Sequence, residues 1–128
     1  MSYHFTTTID QPFDQAIETV TAALKEKGFG IMTTINVQKA MKEKIDKDIN
    51  PYTILGACNP SYAYKALQCE NKVGTMLPCN VVVQETAAGK IEVSAVDPVA
   101  SMQGIDNPDL GAVASEVQAI FKGIIESL

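Results

Sequence analysis

The clearest chemical candidates in the sequence are two of its cysteines. Cys58 ends an apolar stretch and directly precedes Asn59-Pro60, a pair typical of a helix N-terminus, where backbone N–H groups and the helix dipole stabilise a thiolate. Cys79 directly precedes Asn80 at the start of a second apolar stretch. If the two stretches form adjacent antiparallel strands, the end of the first meets the start of the second. The sequence therefore predicts a cluster of two thiols and two side-chain amides.

The same residues also fit purely structural roles. Each cysteine could pack as a small buried hydrophobe, Asn59 could cap a helix, and Asn80 could satisfy nearby backbone groups. Asp97 and Pro98 form a corner that could face a ligand, although proline also ends a strand without any ligand. We favour the structural roles, because a reactive thiol needs an identifiable activating environment. No catalytic residue is predicted, and the candidate binding residues are Cys58, Asn59, Pro60, Cys79, Asn80 and Asp97.

Other kinds of site find no support in the spacing of the residues. His4 is the only histidine, so any cysteine–histidine dyad would need it, and a lone histidine on a first strand is more often exposed or packed. Cys58, Cys69 and Cys79 show no paired CxxC spacing, which argues against a zinc site. Neither GxGxxG nor GxxxxGKS/T occurs, so nucleotide binding has no support. We therefore expect no metal and no cofactor.

The charge of the chain argues against polyanionic partners. Its 128 residues carry a net charge of −5, and all ten basic residues are lysines. Arginine grips phosphates and guanine edges with two donors at once, so its absence argues against nucleic acid. No apolar stretch reaches the roughly 18 residues that span a bilayer, and the N-terminal residues lack a secretory pattern. With an odd number of cysteines, these features predict a cytoplasmic protein without a membrane or nucleic-acid partner.

The hydrophobic periodicity predicts a single α+β domain over residues 1–128. The predicted strands cover 3–9, 29–35, 52–58, 81–86 and 90–96. Two long helices begin at Pro12 and Asn107-Pro108, two short helices begin at Asn36 and Asn59, and residues 97–106 form a loop. The expected order is β-α-β4-α with two extra short helices. We expect a five-stranded, largely antiparallel sheet with the third strand at its centre and the two long helices on one face.

Several segments, taken together, resemble the domain of unknown function 302 family. They are Cys58-Asn59-Pro60 followed by Ala66-Leu67, then Leu77 to Val83, and then Asp97-Pro98, and the resemblance covers nearly the whole chain. It implies a TATA-binding-protein-like α+β fold, a bacterial or archaeal intracellular protein, and a homodimer. It implies no activity and no catalytic residues. The shared fold is not evidence of DNA binding, because function depends on particular sites.

The second face of the sheet bears on the partners of the protein. The segments Ile54-Leu55-Gly56-Ala57 and Val81-Val82-Val83 are apolar on both sides, yet two long helices cover only one face. A second copy of the chain is the simplest cover for the other face, although the short helices could shield part of it.

Three functions are compatible with the sequence. They are a non-enzymatic homodimeric module that binds a small molecule or a partner, a thiol-dependent enzyme or redox sensor using Cys58 or Cys79, and a structural or interaction domain.

Overall fold

The computed structural model describes residues 2–128, which form five strands, five α-helices and one 3-10 turn. The strands are β1 (His4–Ile9), β2 (Gly30–Asn36), β3 (Tyr52–Cys58), β4 (Cys79–Glu85) and β5 (Ile91–Val96). The helices are α1 (Phe13–Glu26), α2 (Val37–Ile45), α3 (Pro60–Cys69), α4 (Pro98–Ser101) and α5 (Pro108–Ser127), and the 3-10 turn covers Val73–Met76. All neighbouring strands pair antiparallel in the order β1-β5-β4-β3-β2. The predicted α+β class with a five-stranded antiparallel sheet is confirmed.

The long helices α1 and α5 cover one face of the sheet, which we call the helix face. Apolar residues recur at spacings of three and four in both helices, so each helix has one continuous apolar side. These sides pack on alternate residues of the inner strands, including Leu55, Val81 and Val93. The rings of Phe29 and Phe121 lie 4.9 Å apart within this core. The prediction of two long helices on one face is confirmed.

The other face of the sheet, which we call the open face, carries the remaining half of the strand side chains. The register aligns them in three rows: His4, Val96, Asn80, Gly56 and Thr33; Thr6, Ser94, Val82, Ile54 and Ile35; and Thr8, Glu92, Gln84 and Tyr52.

Helix α3 packs on the helix side, where Ala66 is buried with Leu110 and Ala114 of α5. The idea that α3 could shield the open face is therefore wrong. Helix α2 contacts β3 and has no buried residue.

Three details of the predicted fold are wrong. The central strand is β4, because β3 lies between β4 and the edge strand β2. The segment 97–106 is not a loop throughout, since Pro98–Ser101 form the helix α4. The 3-10 turn at Val73–Met76 lies where no element is predicted. The chain therefore has three short helices instead of two, and the missed elements are too short to show a hydrophobic period.

Gly56 lies at a close approach between neighbouring strands. A Cβ atom on Gly56 would overlap the Thr33 hydroxyl and would lie 2.7 Å from Cγ of Pro78. Thr33 is the register partner of Gly56 in β2, so the overlap is a direct consequence of strand pairing. A residue without a side chain is therefore required here for steric reasons.

We expect Gly56→Ala to lower the free energy of unfolding by about 1–3 kcal/mol, because overpacking forces neighbouring groups to shift. Gly30→Ala is the matched control, since Gly30 also lies in a strand and a Cβ there meets open space. Denaturant unfolding of both variants measures the difference. Equal stability of the two variants would show that Thr33 and Pro78 yield without cost.

Candidate functional site

A small apolar cavity lies at the predicted corner between β3 and β4, and we call it the strand-end cavity. Ala57 pairs with Cys79, so the end of β3 meets the start of β4. Residues of α3, α4 and α5 complete the lining, and the cavity has a volume of about 40 Å³. Cys58, Asn59 and Cys79 all line it, and none of its lining residues is charged. The structure therefore brings together three of the six predicted binding residues.

Asn59 fixes the start of α3 beside this cavity. Its Oδ1 accepts hydrogen bonds from the backbone N–H groups of Ser61 and Tyr62, at 3.0 and 3.2 Å. Pro60 occupies the first helical position, where a missing N–H is tolerated. The Asn59 amide also lies against Gly28, which has a φ of 84° and where a Cβ would come within 2.8 Å of Nδ2. The predicted helix cap is confirmed, and Pro60, which is exposed, acts by starting the helix.

Asp97 has the same capping role for α4. Its Oδ1 accepts hydrogen bonds from the backbone N–H groups of Val99 and Ala100, at 2.9 and 3.4 Å. The side-chain amide of Gln118 donates to both carboxylate oxygens at 3.1 Å, which ties α4 to α5. This arrangement holds Met102, the residue that follows α4, in the lining of the strand-end cavity. From the sequence, Met102 could line an adaptable pocket, but it is interpreted as packing because scattered methionines more often fill gaps in a core.

Asn80 lies on the opposite side of the sheet from the Cys79 thiol. Successive strand residues alternate between faces, so Cys79 is buried on the helix face and Asn80 is exposed on the open face. There Asn80 lines a groove of about 400 Å³ together with Tyr52 and Gln84, and we call it the open-face groove. The two thiols and two amides therefore do not form one cluster, because the strand pleat separates Asn80 from Cys79 and Asn80 does not line the strand-end cavity.

His4 lines the open-face groove and is not among the residues that line the strand-end cavity. Its Nδ1 is hydrogen bonded to the Thr6 hydroxyl, which lies 2.8 Å from the Ser94 hydroxyl. The Tyr3 ring packs edge-on against the imidazole, with the ring centroids 4.8 Å apart. The histidine is therefore held by polar and aromatic neighbours of its own, and the structure gives no support to a dyad with a cysteine.

The fold and the length of the chain match one protein family. The family model described as Domain of unknown function DUF302 matches residues 5–128. The chain belongs to this family. A crystal structure of an uncharacterized conserved DUF302 protein from Bacillus stearothermophilus has a TM-score of 0.91 to this chain at 25% sequence identity, with 98% of each chain covered. No curated protein matches the chain.

The resemblance stated from the sequence is therefore confirmed, and neither the family nor the similar structure assigns an activity. Among residues 2–128, no three side chains of His, Cys, Asp or Glu are grouped so that they could hold a metal ion. Within the same residues, no helix is both long and apolar enough to cross a membrane.

The state of the Cys79 thiol bears directly on thiol chemistry in this DUF302 domain. Burial raises the pKa of Cys79 from 9.0 to about 11, and the neighbouring Cys58 thiol adds to the increase. No charged residue lines the cavity to oppose this effect. The nucleophilic form of cysteine is the thiolate, which is scarce at neutral pH when the pKa is so high. The environment of Cys79 therefore opposes a role as catalytic nucleophile.

We expect Asn59→Ala to lower the free energy of unfolding by about 1 kcal/mol, because two helix N–H groups lose their acceptor. Asn59→Asp keeps an acceptor oxygen at the same position and should be nearly neutral. Denaturant unfolding of the two variants tests this expectation. A loss of only a few tenths of a kcal/mol for the alanine variant would mean that the cap contributes little to stability.

We expect Cys79 to react slowly with alkylating agents and its pH–rate profile to have a midpoint near 11 instead of 9.0. The reason is that burial disfavours the charged thiolate. Alkylation of the Cys69→Ser variant across pH, with mass spectrometry that assigns the label to Cys79 or Cys58, follows Cys79 while Cys58 stays in place. The unfolded chain in denaturant is the control. Fast labelling of the folded protein at neutral pH would restore Cys79 as a candidate nucleophile.

Proposed function

We propose that this chain is a non-enzymatic, cytoplasmic binding module that works as a homodimer. In this proposal the open face is the contact surface between two copies, and the open-face groove holds a small polar molecule. The observation that carries the proposal is that α1, α3 and α5 leave the open face uncovered although part of it is apolar, and that α2 buries none of its own residues. The helices α1, α3 and α5 all pack on the other side of the sheet.

The apolar part of the open face forms one continuous row across three strands. Ile35, Ile54 and Val82 are register neighbours in β2, β3 and β4. Ile35 is 49% exposed, and the other two side chains are half-buried. Contiguous apolar patches on soluble proteins commonly mark interaction sites, because their burial is favourable. The row therefore favours a protein contact over permanent exposure to water.

The charge of the open face favours a second copy as the occupant. The chain has a net charge of −5, yet Glu92 is the only charged residue among the strand positions on this face. Two copies can therefore meet through this face with little like-charge repulsion. A twofold dimer needs only one self-complementary patch. A partner of strong positive or negative charge would find few complementary groups here.

The polar part of the open face supports a ligand between the two copies. His4, Asn80, Gln84 and Glu92 line the open-face groove, which has a volume of about 400 Å³. Dimerisation would withdraw these groups from water, and buried polar groups need hydrogen-bond partners. A small polar molecule would supply such partners. The volume lies within the roughly 300–1,000 Å³ range that is usual for small-molecule sites.

The wild-type chain should have twice its mass of 13.8 kDa in light scattering at low micromolar concentration. Val82→Lys should convert it to a monomer, because the change places a charge in the apolar row. Ala112→Lys adds the same charge on the exposed side of α5 and should leave the dimer intact. Leu55 is not suitable for this test, because it is buried on the helix face.

A wild-type monomer in this concentration range, or a Val82→Lys dimer as stable as wild type, would contradict the proposed interface. Native mass spectrometry of the same samples tests the ligand. A small additional mass that is retained by the dimer and lost in Val82→Lys would support binding between the copies. A dimer that never retains such a mass, even when purified directly from cells, would reduce the proposal to an interaction domain.

A further inference from the structure

Three polar side chains of the open-face groove have no partner within residues 2–128. Asn80, Gln84 and Glu92 line the groove, and the last two are half-buried. The side-chain hydrogen bonds of these residues 2–128 involve none of the three, and the ion pairs all lie in α2 and the segment that follows it. Two amides and one carboxylate therefore keep their hydrogen-bonding capacity for a ligand.

The chemistry of these three groups limits what the ligand can be. A carboxylate only accepts hydrogen bonds, whereas each side-chain amide offers one acceptor oxygen and two donor hydrogens. A phosphate or carboxylate ligand would be repelled by Glu92, and no lysine among the residues that line the groove offsets the repulsion. An ammonium ion only donates, so the amide N–H groups would stay without an acceptor. Hydroxyl groups donate and accept, so they satisfy all three side chains.

The spacing of the polar groups limits the shape of the ligand. Gln84 pairs with Glu92 across two strands, whereas Asn80 lies four residues from Gln84 along β4, a separation of roughly 13 Å. Val82 lies between the two amides on the same face of the strand. The hydrogen-bonding edge of a single planar base is too short to reach both amides. An elongated molecule fits, with hydroxyl groups towards both ends and C–H groups against Val82.

Two tyrosines also line the groove, and they suit a ligand whose surface carries both C–H and O–H groups. Tyr52 is the register partner of Gln84, and Tyr3 lies near the other end of the groove. A tyrosine combines an apolar ring with a polar hydroxyl. We propose that the open-face groove binds a neutral polyhydroxylated molecule of the sugar class, about as long as a disaccharide. This inference rests on the function proposed for the open face and adds the class of the ligand.

The test is two-dimensional NMR of the isotope-labelled wild-type chain, titrated with a panel of neutral monosaccharides, disaccharides and alditols. Choline, inorganic phosphate and cytosine represent cationic, anionic and planar ligands. The side-chain amide signals of Asn80 and Gln84, identified by their loss in Asn80→Ala and Gln84→Ala, report binding directly. We expect at least one sugar to shift both sets of signals saturably, and the three comparison compounds to shift neither. Thermal stabilisation is not a sufficient readout, because sugars stabilise proteins generally by exclusion from their surface.

Calorimetric titration with the sugar that binds measures what each side chain contributes. Asn80→Ala and Gln84→Ala should each weaken binding by about 2–10-fold, the net effect of one neutral hydrogen bond. Glu92→Ala should weaken it by about tenfold or more, because hydrogen bonds to charged groups are stronger. Glu92→Gln keeps an acceptor oxygen and should retain more affinity than Glu92→Ala. Gln68→Ala is the matched control, since Gln68 is exposed on α3, and it should bind as wild type does.

Light scattering of every variant separates a loss of ligand contacts from a loss of the dimer. The inference is overturned if no sugar of the panel shifts both sets of amide signals, if choline or phosphate shifts them instead, or if Gln68→Ala weakens binding as Gln84→Ala does. Any of these results on a dimeric wild-type chain would leave the proposed homodimer intact. A monomeric wild-type chain that binds a sugar through Asn80 and Gln84 would support the ligand class and contradict the dimer.

Discussion

The antiparallel pairing of β3 with β4 decides on which side of the molecule each candidate residue lies. The register sets Ala57 opposite Cys79, so the strand ends meet where helices can close over them. The same register sets Ile54 beside Val82 on the open face. A slip of one residue in β4 would exchange its two faces, which would expose Cys79 and turn Asn80 into the core. The strand-end cavity and the open-face groove therefore both depend on this one pairing, and the burial of alternate apolar residues against α1 and α5 holds it in place.

Much of the fold could be predicted because its boundaries depend on local chemistry. Asn59 and Asn107 each accept two backbone N–H groups and are followed by proline, so neighbouring residues alone indicate where α3 and α5 begin. Asp97 has the same chemistry, yet the sequence indicated only the end of a strand there. The reason is that α4 is a single turn, and one turn cannot show the periodic apolar side by which longer helices are recognised.

The candidate site was predicted only in part, because its composition depends on geometry that neighbouring residues do not report. Cys58 and Cys79 were expected to meet from the order of two strands, and they line one cavity. Asn80 was expected beside them, but adjacent residues of a strand point to opposite faces. Met102 lines the cavity from the segment that follows α4, whose start is capped by Asp97 and tied to α5 by the Gln118 amide. Such a chain of contacts joins distant segments, so no local pattern in the sequence could indicate it.

The separation of the two sites by the sheet affects how they can influence each other. Cys79 and Asn80 are neighbours in β4, so an occupied cavity and an occupied groove would be one residue apart along the chain. Coupling between two sites requires an element with two alternative arrangements that both sites bias. Strand β4 is a poor candidate for such an element, since β3 and β5 hold it by hydrogen bonds on both sides. Helix α4 is anchored by the hydrogen bonds between Gln118 and Asp97 and by the buried Pro98, and Met102 directly follows it in the lining of the cavity. A change in the lining of the strand-end cavity should therefore be absorbed on the helix side of the sheet, and the surface proposed for dimerisation on the open face should keep its shape.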